Sequence, residues 1–199
     1  MTPDKFANLS PEEKRAALAK LLQKKAGVVS APVSLAQQRL WFLDQLLPGN
    51  ISYNIFRAWR LTGTLDRAAL DKALDELVRR HESLRTTFST VEGQPVQLIA
   101  PAAPRSWPWQ VLSALPPEQR EAQVRRLVLE EAERPFELVK GPLLRVTVLE
   151  LSEQEHVLLL ALHHILSDGW SMGVLVRELS ALYRAFSSGE RFANLSGVI

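Results

Sequence analysis

Two adjacent imidazoles, followed by a carboxylate and a glycine in His163-His164-Ile165-Leu166-Ser167-Asp168-Gly169, are the residues of this chain best suited to chemistry. Packing alone would rarely demand that set. Successive side chains on an extended chain point to opposite sides, so His163 and His164 cannot share one role, and one faces the reaction space while the other faces the fold. Asp168 is left as an orienting or structural acid. A metal site is a poor reading, because adjacent strand residues diverge and the chain has no cysteine to complete a ligand set. A covalent nucleophile is also a poor reading, since Ser167 and Ser171 lack the flanking glycines of a nucleophile elbow. A histidine acting as base on the substrate's own nucleophile is the better chemistry.

The elements that must position these residues are legible on either side. Val157 to Leu162 is a continuous apolar run of strand length, as expected of a strand buried on both faces, and it delivers the histidines at its C-terminal end. Ser171 to Phe186 repeats apolar residues at helical spacing (Val174, Leu175, Leu179, Leu182, Phe186), so the histidine loop joins a central strand to a helix N-terminus. Upstream, the pattern predicts a helix over 36–46, a strand over 55–62 and an amphipathic helix over 65–81. A hairpin is predicted from 83–91 and 95–99, a short strand over 109–112, a helix over 117–134 and a strand over 143–151. This alternation implies an α/β fold, an α+β layered sandwich with a mixed sheet flanked by helices. Ser10, Pro11 and Glu13 open a further helix that Gly27 closes, with 28–32 as a linker. Phe-Ala-Asn-Leu-Ser occurs at 6–10 and again at 192–196, which marks residues 188–199 as a tail of artefactual character.

Composition narrows the function classes. With 199 residues and 46% hydrophobic content, the chain buries one sizeable core. A formal net charge of +2 without a dense basic tract argues against nucleic-acid binding. No apolar stretch reaches membrane-spanning length and the charged N-terminus is unlike a signal peptide, so no membrane partner and a cytoplasmic location are expected.

Two further segments accompany the histidine loop: Ser34-Leu35-Ala36-Gln37-Gln38-Arg39-Leu40-Trp41-Phe42-Leu43, and Arg80-His81-Glu82-Ser83-Leu84-Arg85-Thr86-Thr87-Phe88. With His163 to Gly169 as HHxxxDG, they resemble the ordered SxAQxRLWxL, RHExLRTxF and HHxxxDG motifs of the condensation domains of non-ribosomal peptide synthetases. That family is similar in fold to chloramphenicol acetyltransferase and other CoA-dependent acyltransferases. The resemblance covers roughly Val33 to Glu190 and divides the chain into an N-terminal helix and linker (1–32), an N-terminal condensation lobe (33–187) and the tail (188–199).

The resemblance implies amide-bond formation between a donor acyl or peptidyl thioester and the amine of an acceptor aminoacyl thioester. It implies no directly bound cofactor, the substrates arriving on the phosphopantetheine arms of upstream and downstream carrier proteins. His164 takes the position of the residue that receives or relays the amine proton, and His163 that of a structural histidine. Asp168 is implied in a buried salt bridge, with Arg85 as first partner and Arg39 or Arg80 as fallbacks. Gly169 and the helix start at Trp170 and Ser171 would turn amides toward the developing oxyanion. Arg39, Trp41 and Arg80 are framework or channel residues, and Trp170 either packs in the lobe or contacts substrate. The surroundings of the first motif, 44–54, are similar to the subtype that joins two L-configured residues. A complete domain has a second, C-terminal lobe, so this chain alone is expected to be inactive and to expose an apolar surface beside the histidine loop. Two alternatives stay open: a CoA-dependent acyltransferase relative, and a non-catalytic docking or scaffold module that meets an upstream synthase through its N-terminal helix.

Overall fold

The apolar run that ends in the histidines forms strand β7, Glu155–His163, at the centre of a five-stranded sheet ordered β5-β6-β7-β2-β8. The computed structural model describes residues 27–167 and 169–187, with the backbone alone at 169 and 170, and the backbone of 193–198. Strands β2 (Asn54–Thr62) and β6 (Leu144–Ser152) flank β7 antiparallel, while β5 (Trp109–Val111) runs parallel to β6, so the sheet is mixed.

Both faces of β7 are covered, which is why its sequence shows no polar alternation. Leu158, Leu160 and Leu162 pack with Leu70, Leu74 and Leu77 of helix α2 (Arg67–Arg80) and with Leu175 and Leu179 of helix α4 (Gly169–Phe186). Val157 and Leu159 pack on the other side with Val124 of helix α3 (Pro117–Glu133). Two helices on one face and one on the other make the α/β layered sandwich expected from the alternation of elements. Asp66 starts α2 by accepting from the Ala69 amide at 3.0 Å, while Pro117 stands at the first position of α3, where no amide hydrogen is needed.

A second sheet, ordered β1-β4-β3, carries helix α1 (Leu35–Leu46) at its side. Strands β3 (Thr86–Val91) and β4 (Gln94–Ile99) are the expected hairpin, joined by Glu92 and Gly93, both at positive φ (54° and 78°), the geometry that suits the twist of paired strands. Phe88 of β3 is fully buried and meets Trp41 of α1 with ring centroids 6.4 Å apart, which anchors α1 to the sheet. The Phe88 amide donates to the Leu138 carbonyl at 2.9 Å and joins the small sheet to the segment after α3.

Three readings change. Residues 29–32 are not a linker: they form β1 (Val29–Pro32), antiparallel to β4, and this pairing was hidden because a four-residue edge strand has too little pattern to show. Residues 193–198, read as tail, run as β8 along β2. Residues 83–85, read as the start of the hairpin, lie in a short 3-10 turn, Glu82–Arg85. The helix expected from Ser10 lies outside the described residues. Among the described residues no helix is long and apolar enough to cross a membrane.

Candidate active site

The two histidines part where β7 ends. His163 continues the parity of Val157, Leu159 and Ala161, and its ring is 3% exposed between Phe136, which meets it edge-on at 6.1 Å, and Tyr53 at 6.3 Å. The Ile165 amide donates to Nδ1 of His163 at 3.2 Å, so the neutral ring carries its proton on Nε2. Burial, and secondarily the neighbouring His164, hold this imidazole down at about 4.

His164 leaves the sheet. Its amide still donates to the Tyr53 carbonyl at 2.8 Å, but its side chain is exposed. It lines a cleft of about 650 Å³ together with Gln37, Arg39 and Leu40 of α1, Tyr53 before β2, and Ser167 and Ser171 around the start of α4. One imidazole is therefore fixed within the fold and the other is presented to a space large enough for a ligand. Among the described residues no group of three or more His, Cys, Asp or Glu is placed to hold a metal ion.

The other sequence-derived residues divide between cleft and framework. Arg39 is exposed on the cleft wall, and Ser171 lines it from α4. Trp41 is buried against Phe88, Phe136 and Ile165 and serves as framework. Arg80 faces away from the cleft, its Nε 2.7 Å from Glu76 one helical turn earlier on α2. Arg85 is largely buried; its guanidinium donates to Glu82 at 3.0 Å and to the Ala100 carbonyl, and its Nε has no partner among the described residues. Asp168 and the side chain of Trp170 lie outside the described residues, so the implied Asp168–Arg85 pair does too; Gly169 is the first residue of α4. Sequence reasoning missed Tyr53 as a cleft residue. Its signal was pairing rather than motif: Asn54 stands opposite His163 in the β2–β7 ladder, which carries the preceding residue to the histidines.

The buried histidine has a pH consequence. An unfolded chain binds a proton on His163 near pH 6.5, whereas the folded chain refuses it until about pH 4, so between these values the unfolded state holds more protons and stability rises with pH. The contribution is complete above about pH 6.5 and is lost toward pH 4, a change of about 3 kcal/mol. His156, also buried and lowered by desolvation, acts in the same direction. Urea denaturation across this range is expected to show a shallower pH dependence for His163→Asn than for the unaltered chain. Equal slopes would place the acid sensitivity elsewhere.

Known proteins share both this sequence and this geometry. The family model described as "Condensation domain" matches residues 29–197. A linear gramicidin synthase of Brevibacillus parabrevis is 51% identical over 159 residues, which is 80% of this chain and 2% of that protein. Chondramide synthase cmdD of Chondromyces crocatus is 51% identical over 157 residues, 79% of this chain and 4% of that protein. Among solved structures, the first condensation domain of the calcium-dependent antibiotic synthetase, in complex with a substrate analogue, superposes with a TM-score of 0.72 at 28% identity. That match covers 83% of this chain and 40% of the solved chain. The chain thus spans a few per cent of these two synthetases and less than half of the solved chain. By the match over 29–197, reinforced by the layered fold and the paired histidines at the end of β7, the chain belongs to the condensation-domain family of peptide synthetases.

Proposed function

We propose that this chain forms the histidine-bearing N-terminal lobe of a condensation domain that joins a donor acyl or peptidyl thioester to the amine of an acceptor aminoacyl thioester, both held on phosphopantetheine arms of carrier proteins. The observation that carries this reading is the division of labour at the end of β7: His163 is buried and neutral, and His164 is exposed in the 650 Å³ cleft. The acceptor amine attacks the thioester carbon as a free base. A C–N bond forms, the C–S bond breaks, and the ammonium proton passes to the His164 imidazole and then to the departing thiolate. Much of the acceleration comes from holding amine and thioester together, to which this cleft contributes one wall. Gly169 and Ser171, at the start of α4, are the candidate source of amides for the oxyanion, and Arg39 stands on the wall where a substrate arm would pass.

A protein-borne substrate is favoured over free acyl-CoA by the relatives, which are peptide synthetases, and the surface beside the cleft is open to a protein, whether a carrier or a second lobe. Leu35, Phe42 and Leu46 lie on one exposed face of α1, the helix that also lines the cleft, with Leu47 and Ile51 just beyond it. An exposed apolar stripe of this kind suits a protein partner. The test is a comparison of donors in the parent synthetase: acyl groups on carrier proteins are expected to be transferred to the acceptor amine, and the same acyl groups on CoA to be poor substrates. Equal or better transfer from CoA would favour an acyltransferase of the related kind. No transfer from either donor, with carrier binding retained, would favour a docking module.

A further inference from the structure

The backbone that carries His164 is held on one side by the β2–β7 ladder, through the Tyr53 carbonyl. On its other side it meets the side chain of Gln37 from α1. Nε2 of Gln37 donates to the Gln97 side-chain carbonyl at 3.1 Å and makes a longer contact, 3.4 Å, with the carbonyl of Ile165, the residue after His164. Its Oε1 accepts from the Ser34 amide at 2.9 Å, closing the capping box at the start of α1. Gln97, on β4, donates in turn to the Pro32 carbonyl at 2.9 Å.

We infer that Gln37 is a positioning residue for His164, the link through which the small sheet and α1 fix the histidine loop. The amide chemistry of the link admits few substitutes. Both hydrogens of Nε2 are directed at acceptors, Gln97 Oε1 and the Ile165 carbonyl, and Oε1 is directed at a donor, so the orientation of the group is determined by its partners. A carboxylate of the same shape keeps the Ser34 contact but sets an oxygen against two oxygens. A methionine of similar length keeps the packing and loses every polar contact. The link also crosses between structural units: Gln37 and Gln97 belong to the small sheet and its helix, while Ile165 follows the central strand of the large one. Because the cleft walls come from both units, with Gln37, Arg39 and Leu40 on one side and His164 to Ser167 on the other, the link sets the width of the cleft as well as the height of the imidazole.

This inference rests on the reading of His164 as the proton acceptor, and the test separates the two. Gln37→Glu, Gln37→Met and His164→Ala are made in the parent synthetase and assayed with loaded carrier proteins, and the same variants are made in this chain with isotopically labelled histidine. The Gln37 variants are expected to lose about tenfold to hundredfold in kcat, with KM for the acceptor within about threefold, because displacement of a reacting group by about an ångström has effects of that order. In the labelled chain, the imidazole signals absent from His164→Ala identify His164; these are expected to shift and broaden in both Gln37 variants, while the His163 signals, whose ring stays packed by Phe136 and Tyr53, remain present and move less. Unmoved His164 signals overturn the positioning role, whatever the assay gives. Shifted signals with unchanged kcat also overturn it, since the loop would then move without consequence. If His164→Ala is as active as the unaltered synthetase, the reading of His164 itself fails, and a shift in its signals then shows only the physical link. A Gln37 variant that unfolds is recognised by loss of the His163 signals, and Gln97→Leu, which removes the relay from outside the cleft, is then the variant to read: a kcat loss smaller than that of His164→Ala with a shift at His164 supports the inference, and neither change overturns it.

Discussion

Replacing His164 by alanine in the parent synthetase is expected to lower the rate of amide formation by about two to four orders of magnitude, the usual worth of a positioned acid or base. The side chain is exposed in the cleft and makes no packing contribution to the core clusters, so the substitution should leave the unfolding midpoint nearly unchanged. The corresponding change at His163 is expected to act the other way round. Its ring fills the space between Phe136 and Tyr53 and accepts the Ile165 amide, so His163→Ala opens a cavity and orphans that donor, lowering stability first and activity as a result. Measuring steady-state rates alongside urea midpoints for both variants checks the assignment. A stable, fully active His164→Ala would remove the proton-transfer role and leave catalysis to proximity alone.

The second large effect concerns the support beneath His163. Arg145 of β6 and Glu131 of α3 form an ion pair whose side chains are 11% and 13% exposed. The same guanidinium donates to the carbonyls of Arg134 at 2.8 Å and Pro135 at 3.2 Å and lies 3.7 Å over the Phe136 ring. It therefore ends α3, pins the segment that follows, and presses Phe136 against the buried histidine. Desolvation lowers the Arg145 pKa, and Glu131 offsets part of that effect. Removing either partner leaves the other charge buried without compensation, so Glu131→Ala or Arg145→Ala is expected to destabilise the fold by about 3–5 kcal/mol. The double substitution to methionines should cost much less than the sum, because it removes both charges and keeps apolar volume. Urea midpoints at constant m-value give these energies, and strict additivity would mean the pair is not coupled. Loss of amide formation should accompany the single substitutions through the displacement of Phe136 and His163.

Much of this is legible in the sequence, for reasons that can be named. The run 157–162 read as a strand with both faces covered, because apolar residues of strand length without alternation fit no half-solvated strand, and it became the centre of the large sheet. The helix periods at 65–81 and 171–186 survived as α2 and α4 because their buried stripes, Leu70, Leu74 and Leu77 on one and Leu175 and Leu179 on the other, meet the same sheet face. Strand alternation led to the expectation that the two histidines face opposite ways; in the structure the strand ends at His163, which is inside, and His164, in the turn that follows, is outside. Ser34 and Gln37 close a reciprocal capping box in the structure, a signal that their spacing carried and that the sequence reading did not use.

Other features depend on contacts between segments far apart in sequence, and local pattern carries no information about these. Strand β1 is four residues long and is a strand only because β4 offers its edge. Trp41 reads as a motif residue in the sequence, yet its place is decided by Phe88, Phe136 and Ile165, which come from three other segments. Arg80 and Arg85 stand in one motif, but the 3-10 turn that follows α2 separates them, sending Arg80 to the surface and folding Arg85 toward the Ala100 carbonyl. Tyr53 enters the cleft because the β2–β7 register sets Asn54 opposite His163, and Gln37 reaches Ile165 across 128 positions of chain. The sequence by itself determined which residues could do chemistry and the elements that bear them, since these rest on side-chain type and local period, and its three ordered motifs carried the resemblance to the family. Which surfaces wall the cleft, and what holds His164 within it, were decided by the tertiary structure, because long-range register and packing bring those groups together only after the chain has closed.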